Sequence, residues 1–377
     1  MERRAFIAGT AAGAALLAGC TGSSTTESPT NASDDGTATG SSGGPYTVTM
    51  APAGEVEVES PPTSVAHYFP GYADMAVALG HCDSINSMGV KSRYYTSYYE
   101  ELDGVSVDKA SMTELVGDNG IDKEVFFELD SDLHLIDPRW LTNNSFFGLE
   151  QKDVEELSES VAPFLGNTIF RRTDEWHDYE YYTLYEAFEK VAQVHQETER
   201  YEAFKSLHDG VIEAVQSKLP DESERPNALL CFAASDEPEK FSPYRVADEG
   251  TNKKQFHDLG IGDALEGTGV EGLSTNDRGQ IDYETMLEVD PDSILLRGHE
   301  TKSREEFEET VLAFMQDHDT ASQLTAVQNG DVFRGGPIYA GPIHNLFLTE
   351  RFATLYFPEQ FSGELFDRDE LAGIITS

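Results

Sequence analysis

The chain has 377 residues, enough for two domains of ordinary size, and 39% of them are hydrophobic. Its 69 acidic residues outnumber its 26 basic ones, which gives a net charge of −43. This charge excludes nucleic acid as a partner, because binding to phosphates needs a basic surface. Acidic excess on a chain this hydrophobic indicates a folded protein kept soluble in strong salt, as in a halophile.

The N-terminal residues 1–20 are predicted to be a lipoprotein export signal. The run RRAFI at 3–7 has the twin-arginine form, and the apolar stretch 5–19 is too short to span a membrane as an ordinary helix. The segment ends in Leu-Ala-Gly-Cys, which resembles a lipobox whose cysteine, Cys20, is lipidated. We expect a tethered protein on the extracellular face of the cytoplasmic membrane, with residues 21–45 as a flexible Ser/Thr/Gly/Asp tether. An unprocessed anchor helix is the alternative.

Few other residues suggest covalent chemistry. Once Cys20 carries lipid, Cys82 and Cys231 remain, and we expect two buried free thiols because they fall in different predicted lobes. Asn31 and Asn143 begin glycosylation sequons, a pattern that also occurs by chance.

From Tyr46 onward, short apolar runs alternate with helical patterns, which predicts an α/β fold with largely parallel sheets. In chain order we predict strands at 64–69, 85–90, 132–138, 227–234, 293–298 and 329–336. Helices are predicted at 72–80, 181–220, 256–265 and 345–361, the last being amphipathic. The long helical span 181–220 indicates a rigid connector between two similar α/β units, although ordinary surface helices of one larger domain remain an alternative.

An acidic dodecapeptide occurs twice, as IDKEVFFELDSD at 121–132 and IDYETMLEVDPD at 281–292. Each copy is predicted to be a short helix that leads into a buried strand. In the first copy the apolar stripe is Ile121, Val125 and Leu129, at helical spacing. Glu124 and Glu284 occupy matching positions off the stripe, where they can face solvent.

The repeat, AVQNGDVF at 326–333, FHDLGI at 256–261 and ERFATLYFPEQF at 350–361 resemble the substrate-binding proteins of ABC importers for ferric siderophores, haem and vitamin B12. The resemblance implies two lobes joined by one long rigid helix, with the ligand in the cleft between them. The corresponding domains are an N-terminal lobe at 46–195, an interlobe helix at 196–220 and a C-terminal lobe at 221–377.

The same resemblance assigns a role to the repeat. One glutamate in each lobe of such proteins docks onto arginines of the permease dimer, and the pattern falls on Glu124 and Glu284. The first copy departs from the pattern by having Ser131 where the second keeps Pro291. For either glutamate, a solvated helix face is the alternative.

Ligands of open α/β lobes bind beyond the carboxyl ends of the parallel strands. Basic and aromatic residues follow the predicted strands there, and arginine forks with aromatic faces suit an anionic metal chelate. For any single arginine, a structural pair with an acid is the alternative. The predicted ligand-binding residues are Tyr68, Arg93, Tyr94, Tyr95, Arg139, Trp140, Tyr244, Arg245, Arg297, His299, Arg334 and Tyr339.

We therefore expect a monomeric receptor, not an enzyme, that has no cofactor and no metal of its own and delivers a ferric-siderophore-type chelate to an ABC permease. A corrinoid or haem receptor is the nearest alternative, and an exported hydrolase is a third hypothesis. Direct binding of ferric iron by Tyr94, Tyr95 and His299 is a further option, whereas the other histidines lack a ligand spacing.

Overall fold

The protein is built around two groups of mostly parallel strands, in a computed structural model that describes residues 44–272 and 279–377. Cys20, the tether and Asn31 lie outside the described residues. The first group comprises β1 (Tyr46–Met50), β2 (Gly54–Val58), β3 (Val65–His67), β4 (Ser87–Met88), β5 (Thr113–Glu114) and β6 (Leu133–Leu135). The second comprises β7 (Asn227–Phe232), β8 (Ser242–Tyr244), β9 (Gly262–Asp263), β10 (Ser293–Arg297) and β11 (Val332–Arg334).

Helices alternate with these strands. In chain order they are α1 (Pro70–Ala78), α2 (Glu124–Leu129), α3 (Pro138–Asn143), α4 (Gln151–Ser160), α5 (Leu184–His195), α6 (Thr198–Gln216), α7 (Lys254–Asp258), α8 (Tyr283–Val289), α9 (Arg304–Phe307), α10 (Ala313–Asp317), α11 (Thr325–Asn329), α12 (Pro342–Tyr356) and α13 (Arg368–Thr376). A π-helical turn, Glu308–Leu312, joins α9 to α10.

Parallel pairing dominates both groups. β3 pairs with β6 and β4 with β5, while the second sheet has the order β11, β10, β7, β8, with β9 beside the start of β7. β8 runs antiparallel to β7, and β1 and β2 form a separate antiparallel hairpin that the sequence analysis does not predict. The predicted α/β fold is confirmed.

The second sheet separates two hydrophobic cores. Alternate residues of a strand point to opposite faces, so Leu230 and Leu295 belong to the core shared with the first half. Leu229, Ile294 and Leu296 belong to a smaller core on the other face. Because both faces are covered, β10 is buried along its whole length.

The two copies of the acidic dodecapeptide fold alike. α2 lies in the first copy and α8 in the second, and each ends at an aspartate with positive φ, 44° at Asp130 and 42° at Asp290. The last aspartate of each copy accepts a backbone N–H at the entry of a neighbouring strand: Asp132 from the residue before β3, and Asp292 from the first residue of β7. The repeated Asp-x-Asp therefore ends a helix and ties together two parallel strands.

The predicted apolar stripe of the first copy is wrong in detail. α2 begins at Glu124, so Ile121 precedes the helix. Phe126 is fully buried, whereas Val125 and Leu129 are only half-buried. The helix is short because Asp130 adopts a left-handed conformation that ends it.

The connector is two helices, not the continuous span predicted over 181–220. α5 ends at His195, and Gln196 has φ 58°, a left-handed conformation that ends helices. His195 stacks on His81 with ring centroids 4.3 Å apart, and His81 Nε2 lies 3.1 Å from a carboxylate oxygen of Glu197. These contacts hold the break in place. α6 falls inside the predicted interlobe helix, and the lobe boundaries stay a prediction.

Three other local predictions need correction. The helix predicted at 256–265 is α7 followed by β9, because Gly260 adopts φ 62° between them. α13 is not predicted, although Asp367 caps it by accepting the first N–H groups. Cys82 and Cys231 are free thiols as predicted, but Cys82 is only half-buried.

The first half of α12 is surrounded by protein, so the predicted amphipathic pattern is absent there, whereas Glu350, Arg351 and Thr354 in its last turns are partly exposed. Its first eight residues are all buried, and it packs against α1, α5 and α7. A helix that is enclosed by other helices keeps no solvent face to carry a polar stripe.

A buried carboxylate from α1 caps α12. Asp74 Oδ2 accepts the N–H groups of Ile343, at 2.8 Å, and His344, at 3.2 Å, while Oδ1 accepts the Tyr99 hydroxyl at 2.6 Å. Burial raises the pKa of Asp74. Glycine at 341 permits the approach, because an added Cβ would lie 2.5 Å from the Asp74 side chain. The cap therefore joins an early helix to the last long helix of the chain.

We expect D74A to lower the free energy of unfolding by about 2–4 kcal/mol, because two helix N–H groups and a buried hydroxyl lose their acceptor. D74N should cost less, since an amide oxygen can still accept. Chemical denaturation measures both, with the exposed neighbour Asp83 as control, for which D83N should change stability by less than about 0.5 kcal/mol. Unchanged stability in D74A would contradict this role.

Candidate functional site

A cavity of about 760 Å³ receives walls from both halves of the chain, within the usual size range for small-molecule sites. Its first-half lining comes from α3 and from the segments that follow β3, β4, β5 and α3; its second-half lining comes from β8, from the residue pairs after β7 and β11, and from the residues just before β8. The carboxyl ends of parallel strands thus meet there, as in other open α/β folds. The lining includes Tyr68, Arg93, Trp140, Phe146, Phe147, Phe170, Arg171, Lys240, Tyr244, Gln280 and Tyr339.

The charge of this cavity is opposite to that of the chain. Three cations, Arg93, Arg171 and Lys240, line it, and no acidic residue does so among the described residues. Acidic residues make up 69 of 377 positions, so a lining of this size without one is a marked exclusion. The site is therefore arranged for negative charge.

Aromatic rings form much of the wall. Tyr68 lies 5.9 Å from Trp140 between ring centroids, and Phe170 lies 4.9 Å from Tyr339 in an edge-to-face arrangement. These rings are at most 5% exposed. The Trp140 indole N–H is buried and has no hydrogen-bond partner within the described chain. Flat apolar faces with a few free donors suit a partly aromatic ligand.

Arg93 is held in the wall by a neutral contact. Its Nη1 donates to the Tyr339 hydroxyl at 3.4 Å, which links the two halves of the chain across the cavity. No carboxylate of the described residues lies within ion-pair distance of Arg93, whereas most of the described arginines have one. Its guanidinium remains available to an anion.

Arg171 is a second cation of the wall, and it is not among the ligand residues predicted from the sequence. Its Nε lies 2.8 Å from Asp174 Oδ2, and both side chains are almost fully buried. The guanidinium carbon lies 5.7 Å from the Trp140 ring centroid and 5.1 Å from that of Phe170. Asp174 thus fixes a cation against the aromatic wall.

The structure brings five of the twelve predicted ligand residues to this cavity and leaves seven outside its lining. Those in the lining are Tyr68, Arg93, Trp140, Tyr244 and Tyr339. Tyr94 is fully buried with its hydroxyl 3.0 Å from that of Tyr99. Tyr95 is half-buried nearby, and burial raises its pKa.

Two of the remaining arginines are paired with acids, the alternative that the sequence left open. Arg139 donates to the Trp176 carbonyl at 2.9 Å and lies 3.6 Å from Asp178. Arg245 lies 3.3 Å from Asp263, whose side chain is buried. Both follow strands, but neither lines the cavity.

Arg297 and His299 lie beneath the surface of the site. Arg297 is fully buried with its guanidinium carbon 4.8 Å from the Tyr244 ring centroid, and burial lowers its pKa to about 10. Its side chain therefore supports a wall residue from behind. His299 is buried against Phe307, and burial lowers its pKa.

Arg334 lines a different cavity, of about 330 Å³, at the edge of the second sheet. It hydrogen-bonds the Lys302 carbonyl, while neighbouring Arg351 pairs with the buried carboxylate of Glu300 at 2.8 Å. The direct iron site also is not assembled, because Tyr94 and His299 are enclosed in separate contacts.

Sequence reasoning misses a group of lining residues that do not directly follow a predicted strand. The missed residues are Phe146, Phe147, Phe170, Arg171, Lys240 and Gln280. Phe146 is 53% exposed beside the cavity. Two adjacent phenylalanines in a polar run are a sequence signal that could have indicated an exposed apolar binding surface.

Glu124 and Glu284 are exposed at matching positions near the start of α2 and α8. Neither carboxylate forms an ion pair or side-chain hydrogen bond with another described residue. Asn143 is half-buried, and its amide donates to the Arg139 carbonyl at 2.8 Å.

The family follows from a comparison of the sequence with known protein families. The family model described as "Periplasmic binding protein" matches residues 65–339, which include strands β3 to β11 and the cavity. This chain belongs to the periplasmic binding protein family. Proteins of this family are binding proteins and not enzymes. No curated protein matches the chain significantly.

Solved structures of other periplasmic binding proteins share the fold. PiuA from Streptococcus pneumoniae, an iron uptake ABC transporter substrate-binding protein, has 17% identity and TM-score 0.55, covering 81% of this chain and 96% of that one. YclQ from Bacillus subtilis, a petrobactin-binding protein, has 16% identity and TM-score 0.51, covering 88% and 97%. HmuT, a heme binding protein, has 15% identity and TM-score 0.56, covering 83% and 90%.

The described residues of this periplasmic binding protein contain no group of three or more His, Cys, Asp or Glu side chains placed to hold a metal ion. No helix of residues 44–272 and 279–377 is both long and apolar enough to cross a membrane.

The two cavity arginines should differ sharply in their effect on stability. R171Q should lower the free energy of unfolding by about 3 kcal/mol, because it leaves the buried Asp174 carboxylate without its cation. R93Q should cost less than about 1 kcal/mol, since Arg93 has no ion pair to lose. Urea denaturation of both variants in strong salt measures the difference, and equal costs would contradict the assigned contacts.

Proposed function

We propose that this protein is an extracellular receptor that binds an anionic metal chelate of the ferric-siderophore type and delivers it to an ABC importer permease. The proposal rests on the cavity, whose lining contains three cations and, among the described residues, no acid, in a chain of net charge −43. An acidic protein that excludes acids from one cavity has a site where negative charge must be accommodated.

The chemistry of the wall fits such a ligand. Carboxylate, catecholate and hydroxamate oxygens accept paired N–H donors from a guanidinium, and Arg93 offers a fork that no acid of the described residues occupies. Charge-assisted hydrogen bonds of this kind are worth about 1.5–3 kcal/mol each. The rings of Tyr68, Trp140 and Phe170 would cover the flat faces of the chelating groups.

The ligands named for the similar solved structures support this ligand class and also leave haem as an alternative. PiuA and YclQ are described by iron uptake and petrobactin binding, and HmuT by heme binding. Haem is the second candidate here, because Tyr68, Tyr244 and Tyr339 line the same cavity and phenolate can bind haem iron. A corrinoid would use the same aromatic wall without needing the cations.

Delivery rests on the exposed glutamates. Glu124 and Glu284, free of partners in the described protein and placed alike in two repeats, fit a partner with two equivalent basic patches, as a permease dimer would have. A lipid on Cys20 and the tether 21–45 would keep the monomeric receptor beside that permease after twin-arginine export.

The ligand class is tested by titrating the purified protein with a ferric tris-catecholate, ferric citrate, haem and cobinamide while following tryptophan fluorescence. Trp140 borders the cavity, so we expect saturable quenching by a ferric chelate and a loss of affinity of at least about tenfold in R93Q. R225Q is the control, because Arg225 also lacks a carboxylate partner but donates to the Pro220 carbonyl away from the cavity. Binding of haem or cobinamide alone would contradict the proposal.

The docking role is tested by E124A/E284A. We expect ligand uptake by cells to be abolished while ligand affinity stays within about twofold of normal, because neither residue lines the cavity. Glu128 and Glu288 are the matched control, since they lie four residues further along the same short helices and are also exposed. A large loss of affinity in E124A/E284A, or equal uptake loss in E128A/E288A, would argue against docking through these two carboxylates.

A further inference from the structure

The second copy of the repeat is joined directly to the cavity wall. Ile281, its first residue, exchanges two backbone hydrogen bonds with Phe241, at 2.9 and 3.0 Å. Lys240 and Ser242, on either side of Phe241, line the cavity, as does Gln280 just before the repeat. The segment that carries Glu284 therefore begins as part of the wall.

A charged contact reinforces this junction. Lys240 Nζ lies 3.0 Å from Asp282 Oδ2. Asp282 is also the N-cap of α8, because its other oxygen accepts the N–H of Thr285 at 3.2 Å and the Thr285 hydroxyl at 3.1 Å. The hydrogen bond from Lys240 is the largest cause that lowers the pKa of Asp282, to about 2. One carboxylate is thus shared between a cavity cation and the helix that carries Glu284.

The first copy has the backbone junction without the charged one. Ile121 donates its N–H to the carbonyl of Phe147, a cavity residue, at 3.0 Å. Lys123 turns away from the cavity to Glu156, at 2.7 Å, and Asp153, at 3.4 Å, of α4. The two copies therefore touch the wall alike, but only the second shares a charge with it.

We propose that an anion in the cavity and the Asp282 carboxylate compete for the Lys240 ammonium, so that ligand occupancy changes the first turn of α8, next to Glu284. This inference rests on the proposed function, because it needs an anionic ligand. Competition for one cation is a coupling free energy between two sites, and it acts equally in both directions. Removing the carboxylate must then strengthen ligand binding through Lys240.

The coupling is modest because the pair is open to solvent. The Lys240 and Asp282 side chains are 57% and 36% exposed. Exposed pairs of this kind change an equilibrium by about two- to fivefold, and salt weakens them. The competition therefore changes the first turn of α8 without unfolding the helix, because Asp282 keeps its hydrogen bonds to Thr285.

The test measures the affinity of the full-length protein for a ferric tris-catecholate in wild type, D282N, K240Q and the double variant, at the lowest salt that preserves the fold. Asparagine is as good an N-cap as aspartate, so D282N keeps the start of α8. We expect D282N to bind about two- to fivefold more tightly, K240Q about two- to fivefold more weakly, and D282N to add nothing in the K240Q background. K240R should restore the response to D282N.

The matched control is D236N, which removes the acid paired with Lys302 at 3.1 Å, outside the cavity. It should leave affinity unchanged, which separates competition for Lys240 from a general loss of negative charge. A spectroscopic readout is hydrogen exchange at the Thr285 amide, which should change on ligand binding in wild type and not in K240Q, while α2 amides should respond alike in both proteins.

The outcomes separate this inference from the proposed function. Binding of the ferric chelate with D282N equal to wild type, or with D282N and K240Q effects that simply add, overturns the competition and leaves the receptor function standing. Absence of binding by both the tris-catecholate and ferric citrate overturns the proposed function and the inference with it.

Discussion

The cap of α12 by Asp74 is the contact on which the architecture depends most. It brings a carboxylate from the first helix of the fold, fully buried, to the N-terminus of the last long helix. The residues immediately before α12 include Tyr339, which borders the cavity and receives the hydrogen bond from Arg93. The position of one wall of the site is therefore set by a polar contact outside the site. Gly341 is needed there because no Cβ fits beside Asp74.

Charge is distributed in a complementary way. Acidic residues are frequent on the exposed surface, and the repeated dodecapeptides use theirs to end helices, to join strands and to present Glu124 and Glu284. Cationic side chains line the cavity instead. Lys240 lies at the boundary between the two regions, in contact with an acid of the repeat and with the cavity. Lys240 thus connects the proposed ligand site with the repeat that carries Glu284.

The family is predicted because several short motifs of the sequence resemble it, and the alternation of helices and strands is predicted because apolar runs and turn residues are local signals. Only part of the site is predicted from the sequence. Tyr68 and Trp140 follow strands and line the cavity, but Arg297, which also ends a strand, is buried beneath Tyr244. Spacing cannot tell which arginines find an acid, and Arg245 pairs with Asp263 through a fold that sequence does not specify locally. The break at Gln196 and the buried α12 are likewise tertiary effects.

We propose that the cavity selects negatively charged ligands. The most direct measurement is calorimetric titration of the full-length protein with anionic, neutral and cationic ferric chelates of similar size, in about 1 M salt, where the screening length is about 3 Å and the field of the distant acids is removed. The account predicts that affinity falls from the anionic to the neutral to the cationic chelate, and that R93Q reduces this preference. Equal affinity for all three, or preference for the cationic chelate, would contradict it.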